Sequence, residues 1–355
     1  MFRNTLYVVA GVVCLLLTGC SSQTTQHKYT IGVVPKGQTH EFWQSIERGA
    51  RRAAADLAEQ GVAVRILWDA PLKESDAAEQ IAKVQQLVNS RGINGLVLAP
   101  QDSKGMVPVV RETVSRNIPV VIIDSGLADP DLFVKYVATD NYNGGKMAAR
   151  HLLEVLAQRG KTAPRLVLFR YAVGSESTEQ REKGFLDEVN RHIEQQKAAG
   201  KDTARIIADQ DYAGATVDTA MKSAGPMLIR VKDEADGIFA VNESAAVGLL
   251  NVLRSQKLNQ KIRVVSFDSS GPLLQALEEG DLDGTIVQDP YRMGYLGVWT
   301  LVRHLEGDDV SVGGKYLSTG ETLVTKENLN ELSTRELFTP ELQQKRTIQL
   351  PQPKK

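Results

Sequence analysis

The sequence predicts an α/β protein made of two doubly wound parallel-sheet units in tandem, and two observations carry that prediction. Short runs rich in valine and isoleucine alternate with longer segments whose apolar residues recur at helical spacing. The short runs are also apolar at consecutive positions rather than at every second one. Strands of that kind are buried on both faces, which is the environment of a parallel sheet covered by helices. A chain of 355 residues, 42% hydrophobic and 24% charged, is long enough for two such cores.

The first unit opens with YTIGVVP from Tyr29, followed by a helix from about Glu41 in which Phe42, Ile46, Ala50, Ala53 and Leu57 form one apolar stripe. VAVRILW, a helix from Asp76, GLVLAP, a helix from about Lys104 and PVVIID complete it. The second unit follows VKYVATDNYNGGK. It has a helix through MAARHLLEVLAQR, the strand RLVLFRYA, a helix through EQREKGFLDEV, the strand ARIIAD and a helix near Val217 to Leu228. DGIFAVN, a helix through AAVGLLNVLR and IRVVSFD continue the alternation.

Ahead of the first strand, MFRNTLYVVAGVVCLLLTGC carries one cation, Arg3, and an apolar run from Leu6 to Leu17 that is too short to span a bilayer. This marks residues 1–19 as an export signal. Leu17-Thr18-Gly19-Cys20 resembles the bacterial lipobox, so Cys20 is expected to carry lipid and to begin the mature chain, with residues 20–28 as a polar linker. A signal with a chance cysteine is the alternative. The other cysteine, Cys14, lies in the discarded segment, so the mature domain is expected to lack disulfides and thiolate metal sites. A net charge of -1, with no long basic tract, excludes the footprint of a nucleic-acid binder.

In open parallel sheets, ligands sit at the carboxyl ends of the strands. The residues at those ends are His40, Phe42 and Trp43 after the first strand, Asp124 after PVVII, Tyr212 near ARIIADQD, Asn242 after GIFAV, Asp268 after RVVSF and Gln288 after GTIV. Aromatic walls with a few placed polar groups are the composition of a pocket for a small polar ligand. Phe42 lies on the apolar stripe, so core packing and ligand stacking both remain open for it. Trp43 lies off the stripe and is expected to face a cleft. Asp124 and Asp268 end equivalent strands of the two units and are expected to be site residues, with loop capping as the alternative. Tyr212 can equally be a loop aromatic.

Several ordered stretches resemble the periplasmic sugar-binding proteins of the ribose and galactose type: EFWQSIERGA, PVVIIDSG, ATDNYNGGKMAA, FAVNESAAVG, VVSFDSSG and TIVQDPYRMG. The resemblance runs from about Tyr29 to Asn328. It implies the type I periplasmic binding protein fold, with two lobes joined by three hinge strands and closing on one ligand. On that basis one lobe comprises residues 29–139 and 289–319, the other 140–288 and 320–340, and 341–355 form a polar tail. The resemblance places His40, Phe42, Trp43 and Asp124 in the first lobe, Tyr212, Asn242 and Asp268 in the second, and Gln288 at a hinge. In the ribose-binding pattern arginines occupy two site positions, and here those positions fall at Ser125 and near Glu179, which argues against ribose itself. Arg170 compensates only if it points into the cleft. Ser177 to Gln180 also fits a capping box, so Glu179 has a helix-start reading in which it faces solvent.

Enzyme signatures are weak. HEFWQ lacks the second histidine of the zinc helix, NGGKM lacks the phosphate-loop spacing, and GSEST does not make a nucleophile elbow. The histidines, His27, His40, His151, His192 and His304, show no metal spacing. The expectation is therefore a monomeric, lipid-anchored, extracytoplasmic protein without cofactor or metal, which captures a sugar or sugar-like polyol and delivers it to an ABC-type permease in the membrane. A ligand sensor reporting to a kinase or chemoreceptor is the second reading, and an anchored hydrolase or isomerase using Asp124 and Asp268 is the third.

Overall fold

Two six-stranded sheets, each covered on both faces by helices, organise the chain. The computed structural model describes residues 27–351 apart from 75 and 91. The expected signal segment and Cys20 lie outside the described residues.

The first lobe contains β1 (Tyr29–Val34), α1 (Glu41–Glu59), β2 (Val64–Trp68), α2 (Ala77–Ser90), β3 (Gly95–Leu98), α3 (Val107–Ser115), β4 (Val120–Ile123) and β5 (Lys135–Ala138). The second contains α4 (Asn141–Gln158), β6 (Arg165–Arg170), α5 (Glu176–Ala198), β7 (Arg205–Tyr212), α6 (Val217–Val231), β8 (Gly237–Ala240), α7 (Glu243–Ser255), β9 (Arg263–Phe267), α8 (Gly271–Glu279) and β10 (Gly284–Gln288). The chain then returns to the first lobe for α9 (Pro290–Leu305) and β11 (Tyr316–Ser318), and re-enters the second with β12 (Glu321–Val324). Strand order is β11-β5-β4-β3-β1-β2 in one sheet and β12-β10-β9-β8-β6-β7 in the other. All pairings are parallel except β10 with β12, because β11 and β12 are consecutive in the chain across the lobe boundary. The chain thus passes between the lobes three times, after β5, β10 and β11.

The consecutive apolar positions divide by strand periodicity between the two faces of each sheet. Val97, Val121 and Ile123 pack with Ile46 and Leu296 on the α1/α9 side, whereas Leu96, Leu98, Val120 and Ile122 pack with Val84 and Val110 on the other. The second lobe repeats the arrangement, with Val167 and Phe169 on one face and Leu166 and Leu168 on the opposite one.

In each lobe the helix after the first strand lies unusually close to the helix that begins after a crossing. A Cβ on Gly49 would fall 1.9 Å from the Tyr291 carbonyl oxygen, and one on Gly294 would fall 2.0 Å from that of Ile46. Gly145 and Gly184 make the same reciprocal approach between α4 and α5, against the carbonyls of Arg181 and Tyr142, each at 2.0 Å. Backbone contact at these points fixes the helix spacing.

Three boundaries differ from the sequence reading. α4 begins at Asn141 rather than in MAAR, because Asp140 accepts the Asn143 N–H at 2.9 Å and the glycine pair that resembles a loop is the close-packing site. α3 begins at Val107 because Asp102 takes the N–H groups of Lys104 and Gly105 and holds a turn there. The tail expected from 341 is docked: after α10 (Leu332–Arg335) and α11 (Pro340–Gln343), Gln343 accepts from Ser45 and Arg48, and Ile348 and Leu350 pack on the first lobe's core.

Gly294→Ala is expected to force α1 and α9 apart and to lower the urea unfolding midpoint, a loss of about 1–3 kcal/mol. Gly225→Ala, inside α6 where a Cβ would crowd only the adjacent Pro226 ring, is expected to cost less than Gly294→Ala. Equal midpoints for the two variants would remove close packing as the reason for Gly294.

Candidate functional site

Between the lobes, at the carboxyl ends of both sheets, lies a cavity of about 230 Å³. Two aspartates face each other across it, Asp124 after β4 and Asp268 after β9. Both adopt left-handed backbone, with φ of 63° and 74°. Each donates its N–H to the neighbouring strand, Asp124 to Val137 at 3.1 Å and Asp268 to Ile286 at 2.8 Å. Non-glycine residues seldom occupy that region, and sharp turns of this kind concentrate at functional sites.

Each carboxylate has a buried cation. Lys36, two residues past β1, sits 3.0 Å from Asp124 and within 3.4 Å of Ser175 and Ser177 from the other lobe. Arg181, on the first turns of α5, stands 3.6 Å from Asp268 and is held by Asn141 at 2.8 Å and the Val241 carbonyl at 3.0 Å. Its guanidinium lies 3.7 Å from the centre of the Phe267 ring, a cation–π arrangement that accommodates the charge away from water. Asp268 also accepts from Gln288 at 2.6 Å and from the Glu243 N–H at 3.1 Å. Burial nevertheless holds its carboxyl above the usual carboxylate range, with Arg181 and Gln288 acting against that shift.

At the start of α1, the Phe42 and Trp43 rings meet edge to face with centroids 4.9 Å apart. Ile46, Ala50, Ala53 and Leu57 are buried as the apolar stripe predicts, but Trp43 rather than Phe42 completes it. Trp43 is 3% exposed and packs in the core with Ile46 and Ala50, at spacings of three and seven, while Phe42 is only partly buried. Both still line the cavity, because the indole N–H of Trp43 reaches its edge and donates to Glu74 at 2.6 Å. Glu74 accepts a second bond, at 2.9 Å, from the Tyr171 hydroxyl of the other lobe. Burial first, then Glu74, pushes the Tyr171 pKa well up, so it stays a donor.

His40 spans the lobes, with Nδ1 3.2 Å from Glu243 and Nε2 3.8 Å from Glu74. Bonding to Glu243 raises its pKa to about 9; burial opposes the shift, and Glu74 and Asp268 add to it. Two buried acceptors on the lining, Gln288 Oε1 and Ser270 Oγ, have no partner among the described residues. Buried polar atoms are rarely left that way, so both are acceptors with bonding capacity to spare at the cavity.

Of the residues named from the sequence, His40, Phe42, Trp43, Asp124, Asn242, Asp268 and Gln288 come together on this cavity. Asn242 doubles as the cap of α7, accepting from Ala245 at 3.3 Å. Ser125 lies just behind the lining and accepts the Ser177 N–H at 3.1 Å. Arg170, Glu179 and Tyr212 lie elsewhere. Side chains alternate along β6, so Tyr171 enters the cavity and Arg170 turns outward to pair with Glu182 and lie over the Tyr212 ring. Glu179 is on the other side of α5 from Ser177, Thr178 and Arg181 and accepts the Gly174 N–H at 2.8 Å, while Tyr212 ends an edge strand and is 40% exposed.

Lys36, Glu74, Tyr171, Ser175, Ser177, Arg181 and Glu243 were not anticipated. Lys36 could have been read from its place directly after a strand, and Arg181 from helical spacing with Ser177. Glu74 sits in a loop with no periodic signal. With Lys36 and Arg181 in place the cavity has a cation from each lobe, so missing cations no longer disfavour ribose.

A family model described as periplasmic binding protein domain matches residues 31–309. The chain is 27% identical over 315 residues to the D-ribose/D-allose-binding protein of Pseudomonas aeruginosa, across 83% of this chain and 91% of that one. It is 26% identical over 306 residues to the ribose import binding protein of Haemophilus influenzae, across 86% and 94%. Among solved structures, a carbohydrate-transporter solute-binding protein from Agrobacterium radiobacter in complex with D-arabinose is similar at 31% identity and a TM-score of 0.76, over 89% of this chain and 100% of that one. The periplasmic component of a sugar transport system from Hahella chejuensis is similar at 31% identity and a TM-score of 0.75, over 83% and 99%.

The His40 contact carries a pH dependence. Its pKa is higher in the folded, closed form than the ordinary value of 6.5, so its stabilisation is complete below 6.5 and is lost as pH rises through about 9. Thermal unfolding followed from below pH 6.5 to above pH 9 is expected to show a decline that is smaller in His40→Gln. Identical slopes in the two proteins would mean that the His40–Glu243 contact contributes nothing.

Proposed function

Since this chain belongs to the family that carries the periplasmic binding protein domain, we propose that it captures a neutral monosaccharide or related polyol between its lobes and hands it to an ABC-type import permease. It is an extracytoplasmic binding protein and not an enzyme. Attachment to the membrane through lipid on Cys20 is part of the proposal, as is the permease as its partner.

The observation that carries the ligand assignment is the opposed pair Asp124 and Asp268, each with a buried cation beside it. Carboxylates accept hydrogen bonds from ring hydroxyls, and a bond to a charged group contributes about 1.5–3 kcal/mol net. Glu74 and Glu243 add further negative charge to the lining, while Lys36, His40 and Arg181 are already paired with acids. A ligand bearing its own carboxylate or phosphate meets like charge there, with no free cation among the described lining residues to compensate it. The half-buried ring of Phe42 offers an apolar surface to a sugar's C–H face. The relative that binds D-ribose and D-allose and the structure holding D-arabinose support a single-ring ligand.

Thermal-shift screening with pentoses, hexoses, polyols and sugar acids is expected to give stabilisation by one or more neutral compounds and none by the acids. Asp268→Asn and Arg181→Gln should each weaken the best ligand at least tenfold, about 1.4 kcal/mol, with the fold retained. Trp43→Ala is not a clean probe, because removing a buried tryptophan costs about 3–5 kcal/mol of stability. Unchanged affinity in both polar variants, or preferential binding of sugar acids, would overturn the assignment.

A further inference from the structure

Many of the contacts that join the lobes do not pass through the cavity lining. The β6–α5 connection and the first turn of α5 reach into the first lobe at one end of the cleft. The Ser103 N–H donates to the Gly174 carbonyl at 3.0 Å, and the Ser177 N–H donates to Ser125 Oγ at 3.1 Å. Between these bonds lies Glu176, whose Oε2 accepts the Gly126 backbone N–H at 2.9 Å and the Tyr136 hydroxyl at 3.2 Å. Both donors belong to the first lobe. A Cβ on Gly126 would stand 3.0 Å from the Glu176 carboxyl, so the glycine leaves the space this side chain fills. Tyr136 lies on β5, and its pKa is pushed well up, by burial first and by Glu176 next, so its hydroxyl remains a donor. Glu176 is absent from the cavity lining, although Ser175 and Ser177 on either side of it are present.

We propose that Glu176 is a positioning residue for ligand capture: it docks in a socket made by Gly126 and Tyr136, sets the closed population, and so controls ligand residence time without touching the ligand. The reason is geometric. Both bonds join groups on different lobes, so they form on closure and break on opening, and they bias the equilibrium by their full difference between the two states. Apparent affinity scales with the fraction of binding-competent protein, so a change in that fraction appears in binding even from a residue remote from the ligand. Only the residence-time arm rests on the reading of the cavity as a sugar site.

The test uses the full mature chain with Cys20→Ser and one engineered cysteine per lobe, since no cysteine follows Cys20 in the sequence, and spin labels that report the lobe-to-lobe distance. Glu176→Ala should move the distance distribution toward open forms and raise the dissociation rate of the best neutral sugar about tenfold, with little change in association rate. Glu176→Gln keeps an oxygen able to accept both bonds and should stay within about threefold of the parent. Tyr136→Phe, altered from the first-lobe side, should shift both readouts in the same direction. The double variant should lose less than the sum of the single losses, because the two residues share one bond. A parental distance distribution and dissociation rate in Glu176→Ala would overturn the proposal, as would full additivity in the double variant. If no sugar binds the parent protein, the functional reading fails, and the distance measurement still decides the latch.

Discussion

Burial of opposed negative charge is the constraint on which the site and much of its surroundings depend. Asp124 and Asp268 sit at the ends of strands, away from bulk water, and a lone buried carboxylate costs several kcal/mol. Lys36 and Arg181 offset that cost, and each is fixed in turn by groups that could have served other purposes. Arg181 is held by Asn141 at the start of α4, by a backbone carbonyl and by the Phe267 ring. Its own carbonyl rests against Gly145, so the close approach of α4 and α5 is what brings its side chain to the cavity. Helix packing and ligand chemistry are therefore linked through one residue.

The two lobes solve the same problem with the same parts. Each has an aspartate in left-handed conformation after its fourth strand and a reciprocal glycine pair between the helix after its first strand and a helix that begins after a crossing. They differ in the residue that the first strand delivers to the cavity: Lys36 in one lobe, Tyr171 in the other. That difference makes the halves complementary as well as similar, since Lys36 reaches Ser175 and Ser177 while Tyr171 reaches Glu74. A symmetric pair would have set cation against cation.

Closure joins surfaces of unequal character. One end of the cleft is sealed by neutral and charge-assisted bonds around Glu176, and another part by His40 between Glu74 and Glu243. Between these closures lie acceptors of Gln288 and Ser270 that the protein does not satisfy. The hydroxylated ligand proposed above would complete the set and become part of the closed state's hydrogen bonding.

Local pattern alone determined the alternation of strands and helices, the tandem of parallel units and the strand-end placement of Asp124 and Asp268, because burial on both faces and position at a strand end are properties of nearby residues. His40, Phe42, Asn242 and Gln288, singled out by position in the sequence, also line the one cavity. Tertiary structure decided the rest. Which ring of the Phe42–Trp43 pair enters the core depends on the neighbour α1 meets, and that neighbour is α9, more than two hundred residues later in the chain. Arg170 and Tyr171 exchange roles through the one-residue alternation of a strand, which periodicity cannot orient when both sides are buried. Glu74 and Glu176 acquire their parts only when the lobes meet, and Arg181 only when the second lobe packs, since the groups they bind lie far from them in sequence.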